Sequence, residues 1–258
     1  MIYYETKIKF VWPRYHIKKG MSMKATNLII CLTLLSSSFY CFSANDMTLS
    51  NEHISDPIEE VFTDIYRTNK WESPETVSGP GSTLKVTKNM RQELSELIKR
   101  FGIISIADAP CGDCNWMKYV DIGTCTYVGI DIVRELIESN TRMFAATRKF
   151  RHLNLLENII EKVDLIICRD MIAHLTYEQI FTVLRNFKKS GSKYILITTG
   201  VTTESNYDIE IAGDWRKLNL ELPPFNFPRP LVLIQEDVPF EFERGKHLGL
   251  WFLEDLKI

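Results

Sequence analysis

The chain has 258 residues and a mass of 30.0 kDa, enough for one large α/β domain or two small ones. Its apolar and charged content is that of a globular protein, and twelve glycines with ten prolines exclude a collagen-like or low-complexity architecture. A net charge of −2 argues against a bulk nucleic-acid binder, which carries a basic face.

That average hides an asymmetry: residues 1–26 hold six Lys/Arg against one Glu, and residues 27–44 hold no charge. Asn27 to Phe42 is a short apolar run after a basic stretch, with Ser43 and Ala44 following, the pattern of a secretory signal peptide. It is short for a membrane span, which needs about 20 apolar residues, and its three serines weaken it further. A start at Met21 or Met23 would leave a compact signal charged by Lys24. This reading divides the chain into a basic, signal-like segment (1–44) and one domain (45–258), secreted or periplasmic, with no stable span after cleavage. An uncleaved anchor, or a buried helix in a cytoplasmic protein, is the competing reading. The mature chain keeps Cys111, Cys114, Cys125 and Cys168. Cys111 and Cys114 form a C-x-x-C, but no second ligand pair exists for zinc, and no His/carboxylate cluster implies another metal. Redox use of the pair stays open.

Along the body, residues from about Asn51 to Pro80 read as polar and turn-rich, ending in the loop Ser78–Ser82. Val86, Met90, Leu94, Leu97, Ile98 and Phe101 then recur at helical spacing. A strand ending at Asp108 follows, then one ending at Asp131, a helix from about Ile132, a strand around Phe150–Leu153, and a strand ending at Cys168. Thr176 with Gln179 forms a capping box for a helix whose apolar face is Ile180, Val183, Leu184 and Phe187, stopped by Ser190-Gly191. YILITT is the next strand. Strands alternating with helices predict a mostly parallel, Rossmann-like α/β sheet with right-handed crossovers. Leu222–Pro230 carries four prolines and is unsuited to a central strand. LVLIQED and HLGLWFL then predict an antiparallel C-terminal pair closing the sheet.

In such a sheet a ligand binds beyond the carboxyl ends of the strands. Those ends supply Asp108 and Gly112, then Asp131 nineteen residues after Gly112, then Asn154, then Arg169-Asp170. A carboxylate at Asp131 can take both hydroxyls of a ribose, and Asn154 can face an adenine edge. A dinucleotide fold would want G-x-G-x-x-G, but Pro110 stands at the first glycine position and Asp113 would repel phosphate. The same charges suit a cation, which favours the sulfonium cofactor S-adenosylmethionine (SAM) over NAD.

At these residues the chain resembles the class I SAM-dependent methyltransferases. It resembles in particular a bacterial group whose motifs stand here as Trp71–Ser82, Asp108–Met117, Gly129–Val133, Cys168–Asp170 and Gly213–Arg216. The resemblance runs from about Val61 to Leu256. It implies a seven-stranded sheet with helices on both faces, and a cofactor met by Asp108, Gly112 and Asp113 at its methionine portion, Asp131 at the ribose and Asn154 at the adenine. Ser78, Gly79, Gly81 and Ser82 form either a plain turn or a lid over that cofactor. Pro110 and Arg169 join the binding set. Trp116 is either a core or pocket-wall residue or a group that stacks on the cofactor. Asp170 and His174 are the candidates for a catalytic base, with a structural role for His174 as the competing reading. Gly213–Arg216 is a surface loop or a substrate contact. The methyl acceptor is not legible; the acidic body leaves small molecules, sugars or proteins, and the oligomeric state is open. The rival function is a non-catalytic secreted effector retaining the fold.

Overall fold

The computed structural model describes residues 57–258; the signal-like segment and the boundary at residue 44 lie outside the described residues. Seven strands form one sheet: β1 (Ser105–Asp108), β2 (Thr126–Asp131), β3 (Lys149–His152), β4 (Leu165–Cys168), β5 (Tyr194–Gly200), β6 (Val232–Gln235) and β7 (Lys246–Phe252). Their order is β3-β2-β1-β4-β5-β7-β6. β1 to β5 pair in parallel, and β7 runs antiparallel between β5 and β6. This is the Rossmann-like sheet with a C-terminal antiparallel pair expected from the sequence. Strand order reverses between β1 and β4, so the crevice at their carboxyl ends is the place for a ligand.

The helices are α1 (Pro57–Thr68), α2 (Lys88–Phe101), α3 (Arg134–Phe144) and α4 (Tyr177–Lys189). β4 is Leu-Ile-Ile-Cys, buried at every position because helices cover both its faces. Leu165 and Ile167 meet Met90, Leu94, Leu97 and Ile98 of α2, whereas Ile166 and Cys168 meet Ile180, Val183, Leu184 and Phe187 of α4. The capping box forms: Gln179 N donates to Thr176 Oγ1 (3.4 Å) and Thr176 N to Gln179 Oε1 (3.0 Å).

Two stretches depart from the sequence reading. Residues 57–68, expected as polar turn, form α1, because Ile58, Phe62 and Ile65 line one face against the body. Glu59 and Glu60 in its first turn and Arg67 in its last complement the helix dipole. The strand–helix alternation is also incomplete. Between β1 and β2 there is only a 3-10 turn, Met117–Tyr119, and residues 153–164 join β3 to β4 without a helix. Among the described residues no helix is long and apolar enough to cross a membrane.

Candidate functional site

The loop after β1 begins with a cis Ala109–Pro110 peptide and bends back through Gly112 at φ +52°. Cys111 N donates to the Ile130 carbonyl (2.8 Å) and Gly112 N to Asp131 Oδ2 (3.0 Å), so the loop is laid across the end of β2. The other Asp131 oxygen accepts from Val133 N at 3.0 Å. Burial pushes the Asp131 carboxyl up, and these N–H groups only partly oppose it. Asp108 is 1% exposed, and its Oδ2 accepts from the Tyr127 hydroxyl at 2.7 Å. Its Oδ1 is buried without a hydrogen-bond partner. Burial raises this carboxyl to about 7, against the opposing pull of Tyr127 and Arg148.

Residues 76–82 cross this loop as a strap. Asp113 holds its near end: Oδ2 accepts from Thr76 Oγ1 (2.7 Å) and Val77 N (3.2 Å), and Oδ1 from Ser78 Oγ (3.1 Å). Asp113 N donates back to Ser78 Oγ at 3.2 Å. A Cβ on Gly112 would collide with Ser78 Oγ, so the glycine provides close approach to the strap. Gly79 (φ +85°) packs on Trp71, whose ring lies 5.1 Å from that of His174.

The far end of the strap is held by Arg169. Its Nε and Nη2 grip Glu236 at 2.8 Å each, Nη2 also donates to the Gly81 carbonyl (2.7 Å), and Nη1 reaches Ser82 Oγ and Asp170 Oδ2 (both 3.1 Å). A guanidinium has five N–H donors; four make hydrogen bonds inside the protein, and Nη1 also pairs with Asp170. Arg169 therefore clamps the strap to Glu236. Ser82 and Gly81 serve the same clamp. Trp116 is 6% exposed in the α2-side core, beneath the Arg169 guanidinium at 5.6 Å. Asn154 caps a turn: its Oδ1 accepts from Leu156 N at 2.9 Å and its carbonyl from Asn158. Asp113 likewise spends its carboxylate on residues 76–78 and Asn115.

The base candidates separate. Asp170, at φ +59°, accepts from Lys246 Nζ at 2.6 Å and faces Arg169. Burial alone would raise its carboxyl, but Arg169 and Lys246 outweigh that and hold it well below the ordinary range, which makes it a weak base. His174 is half-buried, and burial lowers its pKa, so the ring is neutral at pH 7. Nδ1 lies 2.9 Å from the Asp214 carbonyl, which can only accept; Nδ1 carries the proton and Nε2 keeps a lone pair. Arg216 of the Gly213–Arg216 motif is fully buried, with Nη1 donating to the Ile172 and Ala173 carbonyls at 2.9 and 3.0 Å, and so supports the turn that carries His174. Sequence reasoning missed Glu236, Glu243 and Lys246. The only trace they leave is a charge next to an apolar strand.

α1 covers the end of β2. His152 Nε2 lies 3.0 Å from Glu59 Oε1 and 2.8 Å from the Ile132 carbonyl; both are acceptors, so Nε2 is the protonated nitrogen. Cys111, Cys114 and Cys168 are buried free thiols, and burial pushes the Cys111 thiol up, away from redox reactivity. No metal-binding group of side chains occurs among the described residues.

The sheet order, the β1–β2 loop and the acidic end of β2 define a class, the Rossmann-like fold of class I methyltransferases. Among solved structures, the chain is similar to magnesium protoporphyrin IX methyltransferase from Synechocystis PCC 6803 with bound SAM, at 13% identity and TM-score 0.50, over 76% of this chain and 97% of that one. It is also similar to TehB from Haemophilus influenzae (16% identity, TM-score 0.46, 62% of this chain and 60% of that one). A "possible exported protein" from Bordetella parapertussis aligns at 17% identity and TM-score 0.38, over 45% of this chain, which spans only 43% of that protein. No protein-family model and no curated protein matches the sequence.

Proposed function

We propose that the chain binds SAM at the carboxyl ends of β1 and β2 and directs its methyl group to an acceptor nucleophile. The observation that carries the reading is the joining of Gly112 N to Asp131 at the end of β2, beside the strand-order reversal. Two further features fit the cofactor. Asp108 Oδ1 is a buried acceptor lacking a donor, the complement of an amino group. Asp131 has lone pairs left after Gly112 and Val133, enough to accept from a ribose diol.

When bound, SAM supplies an electrophilic methyl group on a positively charged sulfur. The chain supplies alignment, through the β1–β2 loop and the strap fixed to it by Asp113 and Arg169. Neutral His174 is the group able to take a proton from an acceptor hydroxyl; Asp170 contributes negative charge more than basicity. Export through the amino-terminal segment belongs to the same proposal. It requires a SAM-containing compartment beyond the producing cell.

Calorimetric titration with SAM tests this. Asp131→Ala should weaken binding by about 1.5–3 kcal/mol, the scale of a hydrogen bond to a charged group. Unchanged affinity in a folded Asp131→Ala protein would remove the assignment. A non-catalytic effector would bind SAM and transfer nothing to any acceptor.

A further inference from the structure

Cys111 and Cys114 stand in the loop after β1, and methyl transfer makes no use of their thiols. Cys114 N donates to the Cys111 carbonyl at 3.3 Å, closing a four-residue turn over Gly112 and Asp113. A turn closed this way brings its first and fourth Cα atoms within about 7 Å, and a disulfide spans about 4.4–6.8 Å between Cα atoms. The two side chains pack with Ile137 in a small cluster of their own. Among the described residues, Cys125 and Cys168 belong to the α2-side and α4-side cores, so neither competes for the pair. Cys114 stands at φ +54°, a conformation that favours glycine, so its thiol is carried there at a backbone cost.

Each sulfur is wired to one carboxylate of the rim. Cys114 Sγ lies 3.6 Å from the Tyr127 hydroxyl, which gives its own proton to Asp108 Oδ2 and so accepts from the thiol. Cys111 Sγ lies 3.8 Å from Asn140 Nδ2, which also donates to the Gly112 carbonyl at 2.7 Å. Gly112 N in turn holds Asp131. Drawing the sulfurs to the roughly 2.05 Å of an S–S bond would take the thiol proton from Tyr127 and tighten the turn that carries Gly112.

Rate and equilibrium separate here. Cys111 is 6% exposed and Cys114 1%, and burial pushes the Cys111 thiol up, so reaction from the closed loop is slow. The charges acting on Cys111 are the carboxylates of Asp131 and Asp108, which oppose a thiolate. The reduced pair therefore gains none of the thiolate stabilisation that makes some disulfides easily reduced.

We propose that Cys111 and Cys114 form a reversible dithiol–disulfide pair, whose closure distorts the β1–β2 loop and weakens its hold on SAM. That closure is felt by SAM rests on the methyl-transfer reading above; the pair itself does not. The oxidant is a low-molecular-weight disulfide. When the loop opens, Cys111, the more exposed thiol, loses its proton to solvent and attacks one oxidant sulfur, and the other leaves as a thiolate. Cys114, deprotonated in turn, attacks the Cys111 sulfur and expels the second thiolate. The protein pair loses two electrons and two protons, and the oxidant becomes two thiols.

The test equilibrates the full chain, and separately a synthetic peptide of residues 101–118, in glutathione buffers at pH 8. That segment holds both cysteines and no other, and it is a single tryptic fragment, so mass spectrometry after thiol blocking reads the pair alone. In the full chain the fragment should lose two hydrogens, carry no glutathione, and close at an oxidant ratio about tenfold lower than the peptide needs, because the fold holds the turn in place. Closure should be slower than in the peptide, and dithiothreitol should reverse it. Calorimetry should then show SAM binding severalfold weaker to the oxidised chain, and the Cys111→Ser, Cys114→Ser double variant should bind SAM equally before and after oxidant. A chain that closes no more readily than the peptide overturns the proposal, as does a glutathione adduct left on Cys111, or equal SAM affinity in the two forms. SAM binding by neither form, with the disulfide closed, would instead defeat the methyl-transfer reading and leave the redox pair standing.

Discussion

Replacing Arg169 with methionine removes the clamp while keeping much of its apolar bulk. Glu236 has a side chain with no exposure, and in the variant its one remaining cation is Lys246 at 3.3 Å, itself shared with Asp170. The Gly81 carbonyl and Ser82 Oγ lose their donors as well. Breaking a buried pair by removing one partner costs about 3–5 kcal/mol, because the other charge stays buried. Domains of this kind have about 5–15 kcal/mol in total, so the variant should fold but with a large part of its stability gone. Removing both charges, as Arg169→Met with Glu236→Met, leaves no orphaned carboxylate and should recover most of the loss. Urea unfolding of the wild type, both single variants and the double variant gives the coupling energy directly. Hydrogen exchange should report faster opening of residues 76–84 in Arg169→Met, since the far end of the strap is then free. A cost below about 1 kcal/mol, or strictly additive effects, would refute the clamp, because such values belong to exposed pairs.

Three further outcomes follow from the same geometry. Burial raises the folded pKa of Asp108 to about 7 from the ordinary carboxyl value, so the folded state holds its proton more tightly and stability falls as pH rises between about 4 and 7. Asp108→Asn should therefore gain stability relative to wild type across that interval, measured by denaturant midpoints at several pH values; a constant difference would contradict the shift. Gly112→Ala should destabilise by about 1 kcal/mol from its positive φ plus the collision with Ser78 Oγ, and Ser78→Gly in the same chain should relieve only the second part, as read by thermal unfolding. If His174 is the base, methyl transfer should be constant at neutral pH and fall only below His174's lowered pKa, under the ordinary value of 6.5. His174→Gln should abolish that acid limb, and a limb that persists would point elsewhere.

Much of the frame is legible in the sequence, because it depends on local pattern. The alternation in Met90 to Ile98 and Ile180 to Phe187, the Thr176–Gln179 box and the runs ending at Asp108, Asp131 and Cys168 each reflect constraints within a few residues. The placing of Asp108, Gly112 and Asp131 on one rim follows from parallel strands, whose carboxyl ends must lie together. α1 was missed because its apolar face is narrow and its remaining residues are polar. Side-chain roles at the rim are a different matter. Arg169, Asp113 and Asn154 carry groups able to meet a cofactor, and nothing in their neighbours shows those groups to be occupied. Their partners come from distant segments or from a turn that forms only on folding: Glu236 and Gly81 for Arg169, Thr76 to Ser78 for Asp113, Leu156 for Asn154. A polar side chain has a small number of hydrogen bonds to make, and tertiary structure alone decides whether the protein or a ligand receives them.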